Sequence, residues 1–164
     1  MIVSDSSSLI LLAKISILES FLETNQLLIS SGVYLETVEK GKEKGSLDAY
    51  LIEKNVNNDK IQVIIVKEKY KKDIEKLFGI TKGENETICL ALQKSAKLIL
   101  SDDKKCINTC KTLGLKFAIS ADVVVALYSK NRITQKKAIE ALNNLENIGW
   151  LKKEIIDSRK KECK

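Results

Sequence analysis

The chain has 164 residues and a mass of 18.4 kDa, room for one domain with a single buried core. Apolar residues make up 44% and charged residues 30%, which describes a soluble globular protein and excludes disordered, collagen-like and membrane classes. Histidine is absent, which excludes Ser-His-Asp triads, Cys-His dyads, HExxH zinc sites and histidine phosphorelays, while a net charge of +6 fits either a polyanionic partner or a solvated lysine-rich surface.

Taken in chain order, Ile2-Val3 is a short strand ending at Ser4-Asp5, and Ser8 to Ile15 is apolar enough to be a buried helix, continued by Ile17 to Leu22. Leu27 to Ser30 reads as a second strand and Val33 to Glu43 as a helix, broken between Lys40 and Gly45 and followed by a helix from Leu47 to Val56. Ile61 to Val66 is β-branched and continuous, the pattern of a strand buried on both faces. Tyr70 to Phe78 is helical up to Gly79, and Thr81-Lys82-Gly83-Glu84 resembles the entry of a helix running to about Ala96. Leu98 to Ser101 is a strand running into Asp102-Asp103. Asp102 is placed to cap a helix from Lys104 to Leu113, with Gly114 at its end. Lys116 to Ile119 is a last strand. Asp122 to Lys130, Thr134 to Asn147 and Leu151 to Lys161 are helices.

Strand and helix alternate with no repeat, linker or low-complexity tract, so the expected fold is a three-layer α/β/α arrangement around a mostly parallel sheet of about five strands. Residues 1–164 form one domain, with 134–164 as C-terminal helices. Cys106 and Cys110 share a helix face, but there is no CxxC pair and no histidine to complete a zinc site. No secretory leader and no apolar run near the roughly 18 residues of a membrane span occur, which points to a cytoplasmic protein with reduced thiols. Residues 152–164 carry six Lys/Arg against three acids, a basic tail that either touches phosphate or is a soluble last helix.

Ligands of parallel α/β sheets bind outside the carboxyl ends of the strands. Two predicted strands end there in acids, at Asp5 and at Asp102-Asp103. Glu84 and Glu86 start the helix before the second of these strands, and Glu36 lies early in its own helix. Singly, each has an ordinary explanation as a cap or as a partner of a helix dipole. Jointly they would repel unless a cation sat among them, and Mg²⁺ or Mn²⁺ with its preference for oxygen ligands suits that place better than lysine. Ser6, Ser7 and Ser8 follow Asp5 directly, either as an ordinary turn or as hydroxyls folding back on a carboxylate or a phosphate.

Four motifs in order resemble the PIN domain, the fold of VapC-type toxin ribonucleases. They are Val3-Ser4-Asp5-Ser6-Ser7-Ser8-Leu9-Ile10; Val33-Tyr34-Leu35-Glu36; Gly83-Glu84-Asn85-Glu86-Thr87-Ile88; and Leu100-Ser101-Asp102-Asp103-Lys104-Lys105 with Leu113-Gly114-Leu115-Lys116. The resemblance implies a metal-dependent endoribonuclease using Mg²⁺ or Mn²⁺, with Asp5, Glu36, Glu86 and Asp103 as catalytic acids. Glu84 and Asp102 are neighbours able to replace their partners in the metal site. Ser7, Ser120, Asp122 and Lys104 lie in the surrounding shell or against substrate. It also implies an RNA substrate, a small antitoxin protein as partner and a homodimer. Two departures stand out. Ser31-Gly32 occupies a place where the family often has Pro, and Ser120-Ala121-Asp122 replaces a Gly-Thr turn and the glycine that follows it.

Two other readings compete. One is a PIN-like module that binds RNA or protein without cutting. A phosphoacceptor receiver domain would need its acid pair after the first strand, and here the pair comes late. P-loop and dinucleotide enzymes are excluded by the absence of GxxxxGK[ST] and GxGxxG.

Overall fold

The computed structural model describes residues 1–78, 85–148 and 151–164. Five strands, β1 (Ile2–Ser4), β2 (Leu27–Ser30), β3 (Ile61–Ile64), β4 (Leu98–Leu100) and β5 (Phe117–Ala118), form one parallel sheet in the order β3-β2-β1-β4-β5. Alternating side chains of the inner strands sort onto two faces, as the two-residue period requires. Leu27, Ile29 and Leu100 enter one hydrophobic cluster, while Val3, Leu28 and Ile99 enter the other.

The first cluster lies under α1 (Ser6–Lys14), α2 (Leu18–Leu22) and α5 (Leu47–Asn57), together with α9 (Ser120–Ser129), α10 (Gln135–Ile148) and α11 (Lys153–Glu162). The second lies under α6 (Glu68–Phe78), α7 (Glu86–Lys94) and α8 (Lys104–Leu113). The three-layer expectation therefore holds. Between β2 and β3 the chain forms α3 (Ser31–Tyr34), a π-helical turn at Leu35–Glu39 and α4 (Lys40–Glu43). Gly45 then reverses the chain at φ +70° and Gly114 closes α8 at φ +66°, both left-handed positions where a side chain would be strained.

The sheet corrects one expectation. The β-branched run at 61–66 is an edge strand, not a strand buried on both faces: Gln62 and Val63 are exposed, and Ile65 beyond the strand end is 79% exposed. β-Branched composition reports strand preference, not position in the sheet. A second correction concerns the cap of α8. Asp103, not Asp102, is its N-cap, accepting from the Cys106 N–H at 2.8 Å. The expected end at Gly79 and the helix entry at Thr81 to Glu84 lie outside the described residues; α7 is described from Glu86, with Asn85 as its N-cap.

The connectivity locates the site. From β1 the chain builds outward through β2 to β3, then crosses back to place β4 on the other side of β1. This reversal makes the carboxyl ends of β1 and β4 the switch-point crevice of a doubly wound sheet. The Asp5 N–H donates to the Leu100 carbonyl at 2.9 Å, tying the two strand ends together, and Ser101 N–H donates to the Ala118 carbonyl at 3.1 Å, fastening β5 alongside.

Candidate active site at the carboxyl edge of the sheet

Asp5 leaves β1 as the N-cap of α1. Its Oδ1 accepts from the Ser7 N–H and the Ser7 hydroxyl, both at 2.6 Å, and from the Ser8 N–H at 3.3 Å. Its Oδ2 accepts from the Ser101 hydroxyl at 2.5 Å. The bland capping role and the site role thus coexist in one carboxylate, one oxygen serving mainly the helix and the other reaching across to β4.

Asp102 is the buried acid of the late pair, 6% exposed. Its Oδ2 accepts from the Ser8 hydroxyl at 2.5 Å, and both its oxygens accept from the Ser120 N–H, at 3.0 and 3.1 Å. The Ser120 hydroxyl adds a bond to Oδ1 at 2.9 Å. Its own N–H donates to Ser7 Oγ at 2.9 Å. Asp103 turns away to the α8 cap while its N–H donates to Ser101 Oγ at 3.1 Å, and Lys104 is exposed at the first position of that helix. Ser120 thus directs both its N–H and its hydroxyl to Asp102.

The three serines after Asp5 divide the candidate acids among them. Ser7 bonds Asp5, Ser8 bonds Asp102, and the Ser6 hydroxyl donates to Glu36 Oε2 at 2.5 Å. A first helical turn points successive side chains in different directions, so three adjacent hydroxyls reach three elements. Glu36 is exposed and lies in the π-helical turn, a distortion often found at functional sites.

Glu86 is held differently. At the start of α7 it reaches over the end of β2, where Oε2 accepts from the Gly32 N–H at 2.9 Å, with Ser30 as a further donor. Its Oε1 pairs with Lys71 Nζ of α6 at 2.6 Å. A Cβ on Gly32 would lie 2.5 Å from Oε2 and 3.1 Å from Cδ, so the carboxylate occupies the space a side chain would take. Gly32 therefore has a physical reason: it gives Glu86 a bare N–H. Beside Glu86, the buried Asn85 Nδ2 has no hydrogen-bond partner among the described residues. Asp122 is engaged elsewhere, bonded to Arg159 Nε of α11 at 2.7 Å and to the Ile119 N–H at 3.1 Å. Glu84 lies outside the described residues.

Electrostatics separate these acids. Burial is the largest influence on Asp5 and raises its carboxyl above the usual range, against the bonds from Ser101, Ser7 and Ser8. Burial also raises Asp102 despite the donors Ser8 and Ser120, and the negative charge of Asp5 adds to the rise. Burial alone would raise Glu86 too, but Lys71, Ser30 and the Gly32 N–H outweigh it and hold this carboxyl below its ordinary value. The four cysteines are free and buried. Behind Ser101, the Cys106 thiol is pushed up, chiefly by its hydrogen bond with Cys110 and by burial, and stays a neutral thiol.

Sequence reasoning singled out Asp5, Asp102, Glu86, Glu36, Ser7 and Ser120, and the structure brings these to the same edge of the sheet. It passed over Ser101, Ser30 and Lys71. Ser101 had a signal in its place immediately before the acid pair. Lys71 sits in the run Lys69-Tyr70-Lys71-Lys72 and had none.

The chain matches, over residues 1–164, the profile of a family described as a PIN domain. The protein belongs to the PIN-domain family. No curated protein and no solved structure matches it. The PIN domain is a nuclease-type fold whose members generally are hydrolases and typically use divalent metals. Among the described residues no three His, Cys, Asp or Glu side chains stand together as a group able to hold an ion. The donor chemistry nevertheless fits a small hard cation: Asp5 and Asp102 offer oxygen only, and Mg²⁺ commonly takes one or two carboxylates and keeps several waters. The ammonium on Glu86 shows a cation standing on a third acid of the edge. No described helix is long and apolar enough to cross a membrane.

Proposed function

We propose that this PIN-domain protein is a Mg²⁺- or Mn²⁺-dependent endoribonuclease whose hydrolytic centre is the switch-point crevice between β1 and β4. The observation that carries this reading is the hydroxyl-linked pair of buried carboxylates, Asp5 and Asp102, one at the end of each strand. When bound, a divalent ion supplies an activated water and offsets charge on the leaving oxygen of a phosphodiester. Asp5 and Asp102 would hold it, Glu86 would add a third carboxylate only on giving up Lys71, and Glu36 stands at the rim. Ser7, Ser8, Ser101 and Ser120 fix the two aspartates in their rotamers, so the carboxylates need little reorganisation on loading. Asp103 keeps the α8 cap in place and thereby the direction of its neighbour Asp102. Exposed Lys104 and the lysine-rich surface hold the RNA backbone as point charges. With 5% aromatic residues there is little surface for base stacking, so specificity comes from RNA shape or a partner.

The resemblance to VapC-type toxins supports the remainder of the reading: a cytoplasmic homodimer acting as the toxin of a toxin-antitoxin pair, restrained by a small antitoxin protein. In the basic tail, part of the charge is used internally, Arg159 on Asp122 and Glu162 and Lys160 on Glu146, which favours an anchored last helix over a phosphate-binding arm.

The test is cleavage of a mixed RNA pool by the purified protein with Mn²⁺, with and without EDTA. The reading expects cleavage that EDTA stops, and a melting temperature raised by millimolar Mn²⁺ through mass action. An uncut pool together with an unchanged melting curve would favour a PIN-like module that binds without cutting.

A further inference from the structure

Glu86 carries a protein cation directly on the oxygen that faces away from the backbone. Lys71 Nζ lies 2.6 Å from Oε1, and the two side chains are 28% and 13% exposed. The opposite oxygen is pinned: it accepts from the Gly32 N–H, and the missing Cβ of Gly32 is what allows the approach. The carboxylate therefore has little freedom, and whatever cation it takes must share Oε1 or displace what is there. Lys71 has the freedom Glu86 lacks. Its stem is flexible, its head is a compact point charge, and its exposure gives it solvent to move into. It also comes from α6, which packs against α7 rather than belonging to a strand end that builds the crevice.

We propose that Lys71 is the built-in counter-ion of this centre: it occupies Glu86 in the metal-free protein and competes with a divalent ion for that carboxylate. The inference rests on the metal reading above. Two cations a few ångströms apart in a half-buried place repel strongly, so ion and ammonium exclude one another at Oε1. By linkage, whatever weakens the Lys71–Glu86 pair strengthens metal binding by the same factor. Lys71 thus keeps Glu86 satisfied and folded in place when the ion is scarce, and sets the concentration at which the centre loads.

The experiment is Mn²⁺ titration followed by the free-ion electron paramagnetic resonance signal, on wild type, Lys71→Met, Lys71→Arg, Lys72→Met, Glu86→Gln and the double variant Lys71→Met/Glu86→Gln. Lys71→Met should bind Mn²⁺ about tenfold more tightly than wild type. Lys71→Arg, which keeps the charge, should stay near wild type, and Lys72→Met, on an exposed residue of the same helix, should change little. In the Glu86→Gln background the Lys71→Met gain should vanish, separating competition at Glu86 from a general change in charge. Wild type that binds Mn²⁺ with Lys71→Met no tighter, or a gain that persists without Glu86, overturns the proposal and leaves the metal reading standing. No binding by any form overturns both.

Discussion

The carboxyl edge of the sheet holds its acids in two ways. Asp5 and Asp102, at the ends of neighbouring strands, are gripped by serine hydroxyls and backbone N–H groups, and burial raises both carboxyls. Glu86, one strand further along, is gripped by a lysine and a bare glycine N–H, and its carboxyl is lowered. Neutral donors orient a carboxylate without cancelling its charge. A lysine both orients and cancels. The same edge therefore combines a part in which hydroxyls and N–H groups do the holding with a part in which an ammonium takes a share.

Replacing a member of the first part should have the largest effect. Asp5→Asn keeps an N-cap and a similar shape, since Asn caps as well as Asp, and Ser101 Oγ can turn to accept where it now donates. Loss of one charge from the pair should lower RNA cleavage about a thousandfold or more. Stability should move the other way. Because the Asp5 carboxyl is raised in the folded protein, its contribution is complete below the unfolded carboxyl range and is lost as pH rises through the folded value. In metal-free buffer the melting temperature of Asp5→Asn relative to wild type should therefore rise from pH 4 to pH 7. For Glu86→Gln the sign reverses. The lowered carboxyl contributes above its unfolded value and loses that contribution as pH falls, so this variant's deficit should be largest at pH 7 and shrink on acidification. Melting curves that move in parallel for the two variants would erase the distinction.

The serines sharpen the comparison at a smaller scale. Ser8→Ala leaves buried Asp102 Oδ2 without one of its donors and should cost about 2 kcal/mol in urea unfolding. Ser6→Ala removes a bond to exposed Glu36 and should cost less than about 0.5 kcal/mol, although the two bonds have the same length. Between them lies Gly32→Ala, whose new Cβ would force the Glu86 carboxylate aside, at about 1 kcal/mol. In a Glu86→Ala background that cost should largely disappear, a coupling that a double-mutant cycle reads directly.

The layers and the strand order's consequence were legible in the sequence because apolar runs, caps and strand-end acids repeat a βα rhythm. The edge position of β3 was not: five β-branched residues in a run of six look alike whether a neighbour covers them or not, and only pairing decides. The acids of the site were legible as residue types, but their roles were not. Asp102 and Asp103 are adjacent and chemically identical, and a single peptide unit decides which turns into the crevice and which caps α8. Carry-over from the family's pattern favoured Asp103, whereas the hydrogen bonds favour Asp102 as the partner of Asp5. Lys71 was illegible for a different reason, since its partner lies 15 residues away and one lysine in a basic run resembles the next.

The most direct test of this account compares RNA cleavage with Mn²⁺ by Asp102→Asn and Asp103→Asn. Asn preserves the α8 cap, so Asp103→Asn should keep near-wild-type stability and most of its activity, while Asp102→Asn should lose cleavage about as completely as Asp5→Asn. An inactive Asp103→Asn beside an active Asp102→Asn would contradict the assignment of the buried aspartate pair as the centre.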